Sequence, residues 1–209
     1  MQKVEPFEKY TKEYEDWFER NKLAYLSEFQ AIKSQLPENG YGLEIGVGSG
    51  RFAAPLGIKL GVEPSKKMGE IAKSRGIEVI EGVAEYLPLD EVLFDFALMV
   101  TTICFLDDVE TAFREAYRVL KSDGCLIIGF IDKDSPLGKL YQRHKEDSLF
   151  YRVATFYSVN EVILLLKKAG FKIFIFTQTI SHNSAEIRNV EPFKEGYGEA
   201  SFVVIKATK

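Results

Sequence analysis

The sequence predicts an α/β fold, a doubly wound, seven-stranded, mostly parallel sheet finished by an antiparallel C-terminal hairpin. Three observations carry this reading. Short apolar runs alternate with segments of helical period along most of the 209 residues, as βαβ units require. The first apolar run passes straight into a glycine-rich loop, Gly46-Val47-Gly48-Ser49-Gly50. The last two apolar runs follow one another with no helical segment between them, the pattern of a hairpin.

In chain order, residues 8–36 place Tyr10, Tyr14, Trp17 and Phe18, then Leu23, Leu26, Phe29 and Ile32, at helical spacing. They predict a helix in two pieces, broken near Arg20-Asn21. Pro37-Glu38-Asn39-Gly40 ends it, and Gly42–Ile45 forms the first strand. After the glycine loop come a brief helix from Arg51 to Leu56 and a second strand, Ile58 to Glu63. Pro64-Ser65 turns into a helix over Lys66 to Arg75, followed by a third strand, Ile77 to Gly82. Phe94 to Val100 is apolar enough for a central parallel strand. A helix over Val109 to Leu120 meets Lys121-Ser122-Asp123-Gly124, which reads as a C-terminal glycine stop before a fifth strand, Cys125 to Ile131. Leu137 to Asp147 reads as an irregular or helical insertion. Ser158, with Glu161 three residues on, caps a helix over Val159 to Ala169 that Gly170 closes. Phe171–Thr179 and Ala200–Ala207 are the hairpin strands.

Composition narrows the classes. An apolar share of 46% and a charged share of 28% are ordinary for a globular domain. No run of eighteen uncharged apolar residues occurs, and the charged N-terminal stretch MQKVEPFEKYTKEYEDWF does not read as a signal peptide, so no membrane is expected and a cytoplasmic location is. Cys104 and Cys125 sit in apolar runs and read as buried free thiols. With His144 and His182 the only histidines and no Cys-x-x-Cys, no metal site is expected. A net charge of −4 gives no footprint for a polyanion and disfavours nucleic acid as a partner.

The glycine loop follows a strand, where open parallel sheets bind their ligands. Glycines allow the tight turn and the close approach of a ligand to the backbone, and the helix that follows presents free N–H groups. A dinucleotide fingerprint, G-x-G-x-x-G, would need glycine or alanine where this chain has Arg51. The pattern is G-x-G-x-G instead. Glu63 closes the second strand, some seventeen residues after Gly46. A carboxylate there can accept both hydroxyls of a ribose.

With these features the chain resembles the class I S-adenosylmethionine (SAM)-dependent methyltransferases, especially the small-molecule branch typified by the ubiquinone/menaquinone-biosynthesis-like methyltransferase domain. The blocks that carry the resemblance are LEIGVGSGRF (43–52), GVEPSKKM (61–68), EGVAEYLPL (81–89), FDFALMVTTICFLDD (94–108) and EAYRVLKSDGCLIIG (115–129). It implies a Rossmann-like fold with SAM as cofactor. It implies that Glu44, Gly46, Gly48 and Gly50 hold the methionine part, that Glu63, with Pro64 behind it, holds the ribose, and that Ala84 and Glu85 border the adenine. Val100, Thr101 and Thr102 would lie near the sulfonium methyl. Two departures stand out. Val83 occupies a position where relatives often have an acidic residue for the adenine amino group. The interval from Gly50 to Glu63, with Pro55 and Gly57, leaves room for only about two helical turns.

The organisation expected is a single domain over 1–209: a helical lid (1–38), a cofactor-binding core (39–132), an insertion (133–157), and a final helix with the hairpin (158–209). Thr101-Thr102-Ile103-Cys104 stands where methyltransferases of nucleobases and glutamine amides carry an Asn- or Asp-Pro-Pro-aromatic block, so the acceptor is read as a small molecule. Tyr14 and Trp17 could offer it a face for a cation or a flat ring, or belong to the core face of an amphipathic helix. Tyr141 and His144 in the insertion are further acceptor contacts, and His182 reads as a surface residue. The function expected is methyl transfer from SAM to a nitrogen, oxygen or carbon nucleophile by in-line displacement. The alternatives are a non-catalytic SAM-binding regulator and an NAD(P)-dependent oxidoreductase, against which Arg51 counts. No residue pattern here specifies an oligomeric state.

Overall fold

The computed structural model describes residues 3–181 and 187–209; His182 lies outside them. Its sheet follows the order β3-β2-β1-β4-β5-β8-β6-β7. The strands are β1 (Gly42–Ile45), β2 (Leu60–Glu63), β3 (Glu78–Glu81), β4 (Phe94–Val100), β5 (Leu120–Ile131), β6 (Ile173–Thr179), β7 (Lys194–Glu195) and β8 (Phe202–Thr208). The first five run parallel, and β8 is antiparallel to both β5 and β6. The strand order reverses between β1 and β4, which makes the carboxyl ends of those strands the binding position in a sheet of this kind.

Side-chain alternation along the central strands feeds two layers. On one face Ala97, Met99, Leu126, Ile128 and Val203 pack with α6 (Val109–Val119) and α8 (Val159–Ala169), through Phe113, Ala116, Val162 and Leu166. On the other, Leu98, Ile127, Phe202 and Val204 pack with Ala31 and Ile32 of α3 (Lys22–Lys33) and Ala72 of α5 (Lys66–Ser74). Both faces of the sheet are covered, which is why β4 reads as a nearly unbroken apolar run.

The N-terminal helices are α1 (Glu5–Lys9), α2 (Thr11–Arg20) and α3. The break between α2 and α3 falls at Asn21, whose ψ of 34° leaves the helical region and whose side chain donates to the Trp17 carbonyl at 3.0 Å. At Ser158 the capping box with Glu161 forms as the sequence predicts, and Gly170 ends α8 with φ 109°. The short helix after the glycine loop, α4 (Ala53–Leu56), ends at Gly57 with φ 78°. The insertion folds as α7 (Pro136–Arg143) and two 3-10 turns, Lys145–Asp147 and Tyr151–Val153. Both cysteines are free thiols. Among the described residues no helix is long and apolar enough to cross a membrane.

Two expectations need correction. The sheet has eight strands, because two residues of the segment before β8 pair with β6. The antiparallel C-terminal hairpin itself forms as predicted, on the β5 side of the sheet, with β8 its inner strand, paired to β5 along seven residue pairs, and β6 outside it. Lys121–Gly124 is not a helix stop. α6 is already finished at Val119, Leu120 is extended and pairs with Phe94, and residues 121–124 bulge before pairing resumes at Cys125. The left-handed residue of that bulge is Asp123, at φ 64°.

Candidate active site

β1 ends at Ile45 and the chain turns at once. Gly46 has φ 72°, its N–H donates to the Val62 carbonyl (2.8 Å), and a Cβ on it would lie 2.5 Å from Cγ2 of Thr102. No other residue fits both the conformation and the space. Gly48, at φ 53°, donates its N–H to Oε2 of Glu63 at 2.8 Å, and Ser65 N–H donates to Oε1 at 2.9 Å. The carboxylate is thus pinned at the carboxyl end of β2. Burial pushes it up to about 7 although both N–H groups favour its ionised form.

Glu44 and Gly50 do not reach the cavity wall. A Cβ on Gly50 would lie 2.4 Å from Cδ1 of Ile77, so this glycine lets the loop pack on the strand and helix behind it. Glu44 is buried under the loop with Oε2 unpartnered among the described residues, and burial holds its carboxyl well above the usual carboxylate range.

Above the loop opens a cavity of about 1010 Å³. Gly46, Gly48, Glu63, Pro64, Ala84, Glu85, Thr101 and Thr102 all line it, as do Tyr14, Trp17, Tyr141 and His144. Twelve scattered positions singled out in the sequence therefore meet in one space. Val83 is on the same wall, and Thr101 closes β4 in the left-handed region, at φ 50°. Glu85 is occupied, accepting the N–H groups of Asp107 (2.8 Å) and Asp108 (3.2 Å) and so tying this loop to the start of α6. His144 sits at the rim with 67% of its side chain exposed. Among the described residues no cluster of side chains could hold a metal ion. The loop cradle, the pinned Glu63 and a space at the upper end of the small-molecule range fit SAM.

Residues 43–128 match the model of the methyltransferase domain family. A Thermotoga maritima crystal structure, described as a SAM-dependent methyltransferase and possible histamine N-methyltransferase, is 55% identical, covers 99% of each chain and superposes with a TM-score of 0.97. The chain belongs to the SAM-dependent methyltransferases. An uncharacterized protein of Methanocaldococcus jannaschii is 49% identical over 97% of this methyltransferase and 98% of its own length. The demethylmenaquinone methyltransferase of Chlorobaculum tepidum is 30% identical over 62% of this chain and 64% of its own. The oxidoreductase alternative falls with this assignment.

Both readings of the aromatic helix hold at once. Tyr14, Trp17 and Phe18 all line the methyltransferase cavity, while Phe18 belongs to the buried core and Tyr14 and Trp17 pack against it. The Tyr14 hydroxyl lies over Gly48, 3.3 Å from where a Cβ would be. Burial, with Glu44 and Glu63 nearby, pushes its ionisation far upward, so it stays a neutral donor. Arg51, the residue that breaks the dinucleotide pattern, reaches back to α2. It donates to Glu15 through Nε (3.0 Å) and Nη2 (2.6 Å) and to Glu19 at 3.1 Å, and its guanidinium lies 5.1 Å from the Phe18 ring centroid. Arg75, the residue after α5, also donates to Glu15 and to the Ser49 carbonyl of the glycine loop.

Sequence reasoning missed a second group of aromatic lining residues. Phe7 packs against Phe105 (centroids 4.9 Å apart) and Phe150 (5.3 Å), and Tyr141 stacks on Tyr151 at 4.9 Å. It also missed Glu28, which is only 7% exposed and lines the cavity from α3. A signal for it existed. Ala24, Glu28 and Ile32 follow one another at i, i+4 spacing along the buried stripe of α3, where a carboxyl is out of place unless it has a use.

Proposed function

We propose that this methyltransferase transfers the methyl group of SAM to a small-molecule acceptor held in the aromatic half of the cavity, with α1 and α2 as its lid. The observation that carries the reading is that one cavity is lined both by Gly48 and Glu63 and by Trp17, Phe105, Phe150 and Tyr151. At about 1010 Å³ it has room for a cofactor and a second, smaller molecule.

In this reading Glu63 accepts the ribose hydroxyls, the loop N–H groups face the methionine part, and the Ala84 backbone meets the adenine edge with Val83 giving it an apolar neighbour. Glu85 holds that loop in place and leaves the adenine to the backbone. Tyr14 donates across Gly48. When bound, SAM supplies an electrophilic methyl group on a sulfonium. The protein's part is to hold a nucleophile in line near Thr101 and to exclude water, which is where most of the rate advantage of such a transfer can arise. A general base is needed only for an acceptor that must first lose a proton.

The test is release of S-adenosylhomocysteine across a panel of amines, phenols, carboxylic acids and quinol precursors. Release with one class, lost in Glu63→Ala, supports the reading. Tight binding of S-adenosylhomocysteine with no release from any member overturns it in favour of a binding-only protein.

A further inference from the structure

We propose that Glu28 binds the acceptor and takes its proton, and that the acceptor is a small primary or secondary amine arriving as an ammonium ion. The inference rests on the methyltransferase reading of the cavity and adds to it the acceptor's chemical class.

Glu28 is more than nine-tenths buried, lines the cavity together with Thr101, Thr102 and Tyr151, and has no hydrogen-bond or ion-pair partner among the described residues. A carboxyl removed from water without a partner is costly, and a ligand cation would remove that cost. The surroundings suit one. Trp17, Phe7, Phe105, Phe150 and Tyr151 line the same space, and the face of such a ring attracts a cation. Of the basic side chains on the wall, Lys3 is spent on the Leu106 carbonyl and the other is Arg20. Acidic groups, Glu5, Glu8, Glu13 and Asp147 among them, outnumber these, so a carboxylate or phosphate acceptor would be repelled. Tyr25 of its own helix and Tyr151 of the insertion feel the charge of Glu28. Neither supplies a counter-charge.

Burial pushes the Glu28 carboxyl up to about 8. That narrows the gap between this carboxyl and an alkylammonium, so return of the ammonium proton to Glu28 is easier here than beside an ordinary carboxylate. The steps balance. The entering ammonium displaces the carboxyl proton to water and forms an ion pair. The ammonium then passes one proton to the Glu28 carboxylate. The freed nitrogen lone pair forms the N–C bond as the C–S bond breaks and its electron pair returns to sulfur. The positive charge of the sulfonium ends on the methylated nitrogen, which leaves as an ammonium ion, and Glu28 is back in its protonated starting state, so one proton is released per turnover.

The experiment uses three probes of one shape, phenethylamine, 4-ethylphenol and 3-phenylpropionate, with the whole protein saturated with S-adenosylhomocysteine for calorimetry and supplied with SAM for turnover. The wild type should bind and methylate the amine alone. Near pH 7 amine binding should release about one proton, read from the dependence of the heat on buffer. Glu28→Gln should keep S-adenosylhomocysteine affinity within about twofold, bind the amine at least tenfold more weakly and lose the acidic limb of the kcat/KM profile, with Glu28→Asp restoring part of it. Turnover of the phenol or carboxylate with the amine ignored overturns the proposal and leaves the methyltransferase reading standing. So does amine turnover by Glu28→Gln with an unchanged pH profile. If the variant does not fold, proton release by the wild type decides: none on amine binding, or no amine binding, overturns the proposal.

Discussion

Replacing Glu15 by glutamine should loosen the N-terminal helices from the glycine loop without touching a side chain that faces the cavity. Glu15 accepts two hydrogen bonds from Arg51 and more from Arg75, with 20% of its side chain exposed. Burial alone would raise its pKa, but the hydrogen bonds from Arg75 and Arg51 outweigh it and hold the carboxyl at about 2, against an ordinary 4.5. At 1.36 kcal/mol per logarithmic unit the difference is at most about 3 kcal/mol. A glutamine can still accept one of these bonds, so about 2 kcal/mol should be lost at pH 7. The folded pKa lies below the unfolded one. The contribution is therefore complete above about pH 4.5 and disappears as the pH falls through about 2. Urea unfolding should show the variant less stable at pH 7 and the gap closing below about pH 3. Limited proteolysis within α2 should speed up, and S-adenosylhomocysteine affinity should fall, because Tyr14 is seated over Gly48 by the same helix. A variant with wild-type stability at pH 7 and wild-type affinity would refute the clamp.

Further outcomes follow from the same geometry. Glu63→Ala should weaken S-adenosylhomocysteine binding by about 2–3 kcal/mol, or roughly 100-fold, as loss of charge-assisted hydrogen bonds implies; unchanged affinity by calorimetry would remove the ribose assignment. Because burial pushes the Glu63 carboxyl up to about 7 and ribose hydroxyls favour its ionised form, affinity should tighten from pH 6 to pH 8, with Glu63→Gln showing no such slope. Gly46→Ala should cost at least about 2 kcal/mol in thermal or urea unfolding, from the positive φ and from the contact with Thr102. Adding Thr102→Ala should recover the contact part and not the conformational part. Glu28 predicts a pH effect of opposite sign. Its folded pKa lies above the unfolded one, so stability should decline as the pH rises from about 4.5 to about 8 and then level off. Glu28→Gln should make that decline shallower, since buried Glu44 and Glu63 contribute to it in the same sense.

What could be read from the sequence was whatever neighbouring residues decide. The glycine loop and Glu63 announce themselves because a tight turn and a strand end are specified by a few consecutive residues. The ends of β4 follow from an apolar run, and the start of α8 follows from Ser158 and Glu161. Which strand of the hairpin meets β5 did not follow, because the β5–β8 ladder joins residues over seventy positions apart, and nothing local distinguishes the inner strand of a hairpin from the outer one. Residues 121–124 misled for a related reason. Asp123 and Gly124 have the chemistry of a helix stop, but the pairing of Leu120 with Phe94 had already taken the chain into the sheet.

Arg51 shows how these limits meet at the site. Its identity alone spoke against a pyrophosphate loop, since no arginine can stand where that loop needs close helix–strand packing. What the arginine does instead depends on Glu15, 36 residues earlier, and on Arg75. Gly50 supplies the close packing that the displaced glycine would have given, against Ile77 and Ala72. The loop thus leaves its next position free to face outward and hold α2. A nucleotide-binding turn has thereby become the anchor of the helix that covers it, so cofactor affinity and the position of Tyr14 and Trp17 should change together whenever Arg51 is altered. Arg51→Lys would keep the charge but lose the bidentate geometry. If it lowered acceptor affinity while leaving S-adenosylhomocysteine binding unchanged, the two functions would be separable and this coupling would be wrong.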